Sequence, residues 1–319
     1  MKKILVIGAG AWGTALANLL AKNSNEVFLN ANKSKILDEI NHKSSNEQFL
    51  PGIKLSQKIF AVSNFVTDAD FVFIVTPSAI SAKIFQEIAQ TKFKKNCIFV
   101  ICSKGLESKT NNLLSDSFEK ITKCKNYAVL SGPNFAAEVA NEVPSITTIA
   151  MKNKKLASAI INLLNNNHFQ AFYFKDPRTV EICGVVKNVM AIGCGIVDGL
   201  DLGVNAKAAL VMKGISEIQL LCKKIKASTD VVNAAGFGDI FLTCSSQKSR
   251  NNSLGVLLAQ EKEREDGKTY EGISSAASIV SLGKKLKVKL DLCEGINQIL
   301  TRKYSAEQIK EIISKAILS

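Results

Sequence analysis

The sequence predicts an α/β protein in two parts: a doubly wound parallel sheet over residues 1–176 and an all-helical domain over residues 177–319. Three observations predict it. Short β-branched runs alternate with helical stretches through the first half, the pattern of βαβ units. A glycine-rich turn follows the first of those runs directly. Near residue 176 the apolar spacing changes to the helical period and stays there.

The elements follow in order. "KILVIG" is continuously apolar, as a strand buried on both faces should be. "WGTALANLLAKN" spaces its apolar residues as a helix. "EVFLNAN" reads as a second strand, with a helix from about Ser34. "FVFIVT", "CIFVICS" and "YAVLSG" are further strands, separated by helical stretches. "KDPRTVEICGVVKNVMAIGCGIVDGL" then opens the helical part, with Asp176 placed to cap it and Pro177 at its first position. "NAKAALVMKGISEIQLLCKKI" and the tail from about Ser305 fit helices, and "QEKEREDGK" reads as a charged loop or helix end.

Composition narrows the function. Hydrophobic residues make up 46% and charged residues 22%, ordinary for a globular protein. No apolar run is read as reaching the roughly 18 residues that a spanning helix needs, so no stable membrane insertion is expected. Without a targeting signal, the expected compartment is the cytoplasm. The eight cysteines contain no CxxC pair and lie mostly in apolar runs, which points to reduced, buried thiols and to no metal site. A net charge of +13 suits either plain solubility or a field that draws in anionic ligands. Aromatics are only 7% and no basic stripe carries stacking residues, so no nucleic acid partner is expected. His42 and His168, the only two histidines, sit in polar surroundings and read as surface residues. Acid–base chemistry therefore falls to Lys, Asp or Glu.

"GAGAWG" places Gly8, Gly10 and Gly13 between the first strand and the first helix, in the order of a Rossmann dinucleotide site. The first glycine permits the turn, the second the approach of a pyrophosphate, the third close packing of helix on strand. The second strand ends without a carboxylate. Asn30 and Asn32 can bond a ribose hydroxyl, while Lys33 and Lys35 can attract a 2′-phosphate, so both NAD and NADP stay open. Lys104 follows the "CIFVICS" strand at once, where open parallel sheets bind ligands. Lys187 stands mid-helix with Cys183, Gly184, Met190 and Ala191 one turn away, none able to pair with a charge. A buried amine there must reach water or be used by a site. Asp239 lies in a small, apolar run and needs a partner, which a buried lysine would be. A structural ion pair fits these residue types as well as a catalytic one. Arg250 beside Asn251 and Asn252 offers a planar fork of donors to a phosphate or a carboxylate.

With these residues the chain resembles the bacterial-type NAD(P)-dependent glycerol-3-phosphate dehydrogenases. The motifs "GAGAWGTALA", "FLPGI", "SKGLE", "SGPNFAAEVA", "VVKNVMAIGCGI", "NAKAAL", "AGFGDIFLTC" and "SRNNSLG" run in order from residue 4 to beyond 271. The resemblance implies reversible reduction of dihydroxyacetone phosphate to sn-glycerol 3-phosphate, a precursor of phospholipids, by a protein that is usually a homodimer. It implies Lys187 as acid–base residue, with Lys104 near substrate and nicotinamide and Asp239 beside the amine. Burial and Lys104 would lower the pKa of Lys187, and Asp239 would oppose that. It puts Gly132, Asn134, Asn188, Thr243, Ser249, Arg250 and Asn251 at substrate positions. Ala11, Trp12, Ala136, Arg250 and Glu271 fall at cofactor positions, beside the glycine loop and Asn32 and Lys33. Two departures stand out: Asn32 where the family often has arginine, and Asn134 where serine is usual. A β-hydroxyacid dehydrogenase, which also sets a lysine in a long helix, and a non-catalytic cofactor sensor are the alternatives.

Overall fold

The computed structural model describes residues 2–23, 25–246, 248–264 and 269–319. It divides into two compact units. The first comprises residues 1–104 and 114–177, the second residues 105–113 and 178–319. A single cut at 176/177 misses the excursion at 105–113, which groups with the second unit. Its cause is apolar: Leu106 and Leu113 belong to the second unit's core.

The first unit is built on one eight-stranded sheet. Its strands are β1 (Lys3–Ile7), β2 (Glu26–Asn30), β3 (Ile59–Val62), β4 (Phe71–Ile74), β5 (Ile98–Ile101), β6 (Tyr127–Ser131), β7 (Ser145–Ala150) and β8 (Phe169–Phe174). The order is β3-β2-β1-β4-β5-β6-β7-β8. The chain reverses direction of travel across the sheet between β3 and β4, so the carboxyl ends of β1 and β4 flank the switch point where such sheets take ligands. The helices of this unit are α1 (Ala11–Lys22), α2 (Ser34–Lys43), α3 (Ser81–Gln90), α4 (Leu114–Thr122), α5 (Ala136–Ala140) and α6 (Lys154–Leu164).

The sheet is doubly wound and mainly parallel, as expected, with two differences in detail. The sheet is not wholly parallel, because β6 and β7 pair antiparallel, with Leu130 opposite Ile149. The helix α5 between them is too short for a full crossover, so the chain turns back instead. The strands β3, β7 and β8 also escape a search for continuous apolar runs. Each is exposed at some positions, for instance Phe60 in β3 and Phe172 in β8, because each lies at or near a sheet edge.

The second unit is helical: α7 (Pro177–Gly199), α8 (Gly203–Lys224), α9 (Asp239–Ser245), α10 (Arg250–Ala259), α11 (Glu271–Leu286), α12 (Asp291–Thr301) and α13 (Ala306–Leu318). A π-helical turn over Ala234–Gly238 runs into α9. Helix α7 is the axis of this unit. Its apolar residues go all round, and such a helix must be buried. Val185, Val186, Val189, Met190, Ile192 and Ile196 are all fully inaccessible. Close neighbours are admitted by glycine: a Cβ on Gly195 would stand 1.9 Å from the Asn252 carbonyl oxygen, and one on Gly255 2.0 Å from that of Ile192. Contrary to the expectation, α7 is long and apolar enough to cross a membrane, but its apolar window is wholly buried inside the unit. The charged stretch at 260–268 lies partly outside the described residues, since 265–268 are not among them.

Candidate active site

The glycine turn is held by its backbone. Gly8 has φ +113°, in the region that favours glycine, and a Cβ there would meet the Val75 carbonyl oxygen at 2.8 Å. A Cβ on Gly13 would stand 1.8 Å from the Gly8 carbonyl oxygen, so α1 is seated directly on the turn. Gly10 is the residue before α1 and faces open space, since a Cβ added there would meet nothing within 4 Å. No side chain caps α1 and no acidic residue lies in its first turn. Its free N–H groups and positive dipole end are therefore unopposed, which fits a dinucleotide pyrophosphate. Trp12 and Ala136 pack on one small cluster with Leu50 and Ala15, beside the start of α1.

Beyond β2, Asn32, Lys33 and Lys35 are exposed. Asn30 has its amide donors engaged: they reach the carbonyls of Val62 and Ser63, at 3.2 and 3.0 Å, fastening β3 to β2. Lys104, at the end of β5, donates from Nζ to the Gly132 carbonyl at 3.3 Å, so two strand ends are joined. Gly132 is buried against Thr147. Asn134 donates from Nδ2 to the Ile146 carbonyl at 2.9 Å, while its Oδ1 is buried without a hydrogen-bond partner. One of its two amide donors is thus used on β7, and the oxygen stands buried without a partner.

The second unit gathers the other candidates. Lys187 is 6% exposed, in the middle of α7. Its Nζ donates to Asp239 Oδ1 at 2.8 Å and to Thr243 Oγ1 at 2.9 Å. Both partners come from α9, one turn apart, because residues four apart share a helix face. The Thr243 hydroxyl donates to the Asp239 carbonyl at 2.6 Å, which turns its oxygen lone pairs toward the amine. The π-helical turn before α9 sets Asp239 at the helix start, fully buried. Such turns recur at functional sites.

A second network adjoins the first. Asn251 donates from Nδ2 to Asn188 Oδ1 at 3.1 Å and accepts from the Gly272 N–H at 3.0 Å. It thereby ties α7 to the N-terminal ends of α10 and α11. Ser249 caps α10, accepting from Asn252 N–H. Arg250 and Glu271 are the first residues of those two helices, and both are exposed. Asn188 Nδ2 is buried with no hydrogen-bond partner. Thus Lys187 and Asn188 from α7, Asp239 and Thr243 from α9, and Ser249, Arg250 and Asn251 from the start of α10 all fall within one unit. They are remote along the chain, and the packing of α9 and α10 on α7 gathers them.

Histidine and cysteine take no part in this network. His42 lies in the last turn of α2 and His168 precedes β8, both exposed. All eight cysteines are free thiols, seven of them buried, and burial pushes the Cys97 thiol up to about 12. Among the described residues, no group of three or more His, Cys, Asp or Glu is placed to hold a metal ion. Two buried polar residues gave no signal in the sequence. Asn46 reaches the glycine turn from a loop, and Glu217, buried in α8, accepts from the Leu292 and Cys293 N–H groups at 2.6 and 3.2 Å. Asn46 lies in no periodic pattern, and Glu217, though inside a helical stretch, belongs to no motif with a known spacing.

A glycine turn that can take a pyrophosphate and a buried lysine–carboxylate pair are both compatible with the class of nicotinamide-linked oxidoreductases. Residues 3–157 match the family described as NAD-dependent glycerol-3-phosphate dehydrogenase N-terminus, and residues 176–311 match the corresponding C-terminus. The chain is 36% identical over 308 residues to glycerol-3-phosphate dehydrogenase [NAD(P)+] of Parvibaculum lavamentivorans, covering 94% of this chain and 92% of the relative. It is 38% identical over 307 residues to that of Caulobacter vibrioides, covering 94% and 92%. The crystal structure of glycerol-3-phosphate dehydrogenase from Coxiella burnetii matches with a TM-score of 0.92 at 28% identity, over 100% of this chain and 99% of that one. The chain belongs to the NAD(P)-dependent glycerol-3-phosphate dehydrogenase family. The hydroxyacid dehydrogenase and the cofactor sensor give way to this assignment.

Proposed function

We propose that the chain reduces dihydroxyacetone phosphate to sn-glycerol 3-phosphate, reversibly, with Lys187 as the general acid and base. The buried contact of Lys187 with Asp239 and Thr243 carries this reading. Bound NADH or NADPH supplies a hydride to the carbonyl carbon. Charge then develops on the carbonyl oxygen, and Lys187 Nζ delivers a proton to it; in the oxidation the amine takes that proton back. Asp239 and Thr243 hold the amine in one position, so little reorganisation is needed when the proton moves.

The remaining residues divide between substrate and cofactor. Arg250 opens α10 next to its Ser249 cap, and Asn251 joins that helix start to the start of α11. A guanidinium fork beside two positive helix ends suits a phosphate dianion. Asn188 Nδ2, buried and unpartnered, is a donor for a substrate oxygen. Lys104, Gly132 and Asn134 serve the substrate from the ends of β5 and β6, Lys104 also lying at the nicotinamide. Gly8, Gly10, Ala11, Trp12 and Gly13 take the pyrophosphate. Asn32 and Lys33 meet the adenosine ribose, where Asn32 bonds a hydroxyl and Lys33 a 2′-phosphate, so that both cofactors are used. Ala136, Arg250 and Glu271 complete the cofactor contacts. The reading extends to a cytoplasmic homodimer that supplies the backbone of phospholipids.

The test follows NADH and NADPH absorbance with dihydroxyacetone phosphate in wild type and Lys187→Ala. The variant is expected to bind cofactor normally and to lose about 10²–10⁴-fold in kcat. Turnover near the wild-type rate would remove Lys187 from the mechanism.

A further inference from the structure

Asn46 lies in the loop between α2 and β3, far in sequence from the glycine turn. Its side chain is fully buried. Its Nδ2 donates to the Ala9 carbonyl at 3.1 Å and to Thr14 Oγ1 at 2.8 Å. Thr14 in turn donates to the same Ala9 carbonyl at 3.4 Å. The carbonyl between Gly8 and Gly10 is therefore gripped from two sides, once by the loop and once by α1.

A peptide group is planar and trans, so its C=O and N–H point in opposite directions. Holding the Ala9 carbonyl inward turns the Gly10 N–H outward. That N–H belongs to the residue whose surroundings are open, at the uncapped start of α1. The same loop is fastened elsewhere along α1. Leu50 packs with Ala15, and the Ser56 N–H donates to Asn18 Oδ1 at 2.9 Å. Asn18 braces the loop without touching the glycine turn.

We propose that Asn46 is a positioning residue for the dinucleotide: it fixes the Ala9–Gly10 peptide plane so that the Gly10 N–H meets the pyrophosphate. The inference rests on the family's cofactor use and adds a residue outside the glycine motif. Aspartate at this position keeps size and shape but replaces the donor with an acceptor facing the Ala9 carbonyl. The loop's grip then becomes a repulsion between two acceptors, only the longer bond from Thr14 is left on the Ala9 carbonyl, and the Gly10 N–H is held less firmly in place for the ligand.

The experiment measures NADH dissociation by fluorescence titration, together with thermal midpoints and steady-state kinetics, for wild type, Asn46→Asp, Asn46→Ser and Asn18→Ala. Asn46→Asp is expected to weaken NADH by about tenfold or more, the scale of one hydrogen bond to a charged group. The KM for dihydroxyacetone phosphate at saturating NADH stays within about twofold of wild type, since Asn46 touches no substrate group. Asn46→Ser keeps a shorter donor and recovers part of the affinity. Asn18→Ala lowers the thermal midpoint but leaves NADH affinity unchanged. Equal NADH affinity in wild type and folded Asn46→Asp, or equal weakening in Asn18→Ala, overturns the proposal. If Asn46→Asp does not fold, Asn46→Ser decides: unchanged NADH affinity there overturns it as well. Failure of wild type to bind NADH would instead strike the cofactor reading itself.

Discussion

Lys187 shows how the surroundings of a residue decide whether its charge can be buried. An amine in an apolar helix is tolerated only when a partner meets it, because desolvating an unpaired charge costs several kcal/mol. Asp239 and Thr243 are that partner, and both come from another helix. At the same scale, Arg250 differs in exposure: it stands at a helix start in solvent, free to receive a ligand's charge. Replacing it with alanine is expected to raise the KM for dihydroxyacetone phosphate by about 10- to 100-fold, the loss of a charged hydrogen-bonded contact. Its effect on kcat should be smaller, because the phosphate is bound before and during the chemistry alike. Initial rates over a range of ketone concentrations measure this, and an unchanged KM excludes Arg250 as the phosphate anchor.

Among the elements, α12 depends on a side chain from elsewhere. The Glu217 carboxylate of α8 accepts the Leu292 and Cys293 N–H groups, two of the donors that a helix start leaves unpaired. Burial is the first influence on this carboxyl, and it holds the pKa above the ordinary 4.5 despite those two bonds. Glu217→Ala is expected to cost about 1–3 kcal/mol by leaving both N–H groups unsatisfied. A folded-state pKa above the unfolded one favours folding through the protonated form. That contribution is complete below the unfolded pKa and is lost as pH rises through the raised value. The stability gap between wild type and Glu217→Ala should therefore narrow between a pH just below the ordinary 4.5 and neutral pH. Urea unfolding at the two pH values checks it, and a gap that widens with pH contradicts the sign.

For the whole molecule, charge is the property that acts at a distance. The net charge of +13 sets a positive field around a protein whose ligands are anions. Raising ionic strength from about 0.01 to about 0.15 M shortens the Debye length from ~30 to ~8 Å. The value of kcat/KM for dihydroxyacetone phosphate is expected to fall several-fold over that range, with kcat nearly constant. A salt-independent kcat/KM would show that the lysines serve solubility alone.

Chain order alone was enough for the glycine turn, the first strands and the change to helix at Pro177, because each is encoded by neighbours along the chain. Periodicity records which face of an element meets a core, and a tight turn needs its glycines in a fixed order. Folding in three dimensions was needed for the antiparallel turn of β7, the placement of 105–113 in the helical unit, the use of the Asn30 amide donors on β3 and the grip of Asn46 on Ala9. Each of these is a contact between residues remote in sequence, and hydrogen bonds of that kind leave no period behind them. The pairing of Lys187 with Asp239 lies between the two cases: both residues looked misplaced in apolar surroundings, and folding supplied the distance that makes each the other's reason.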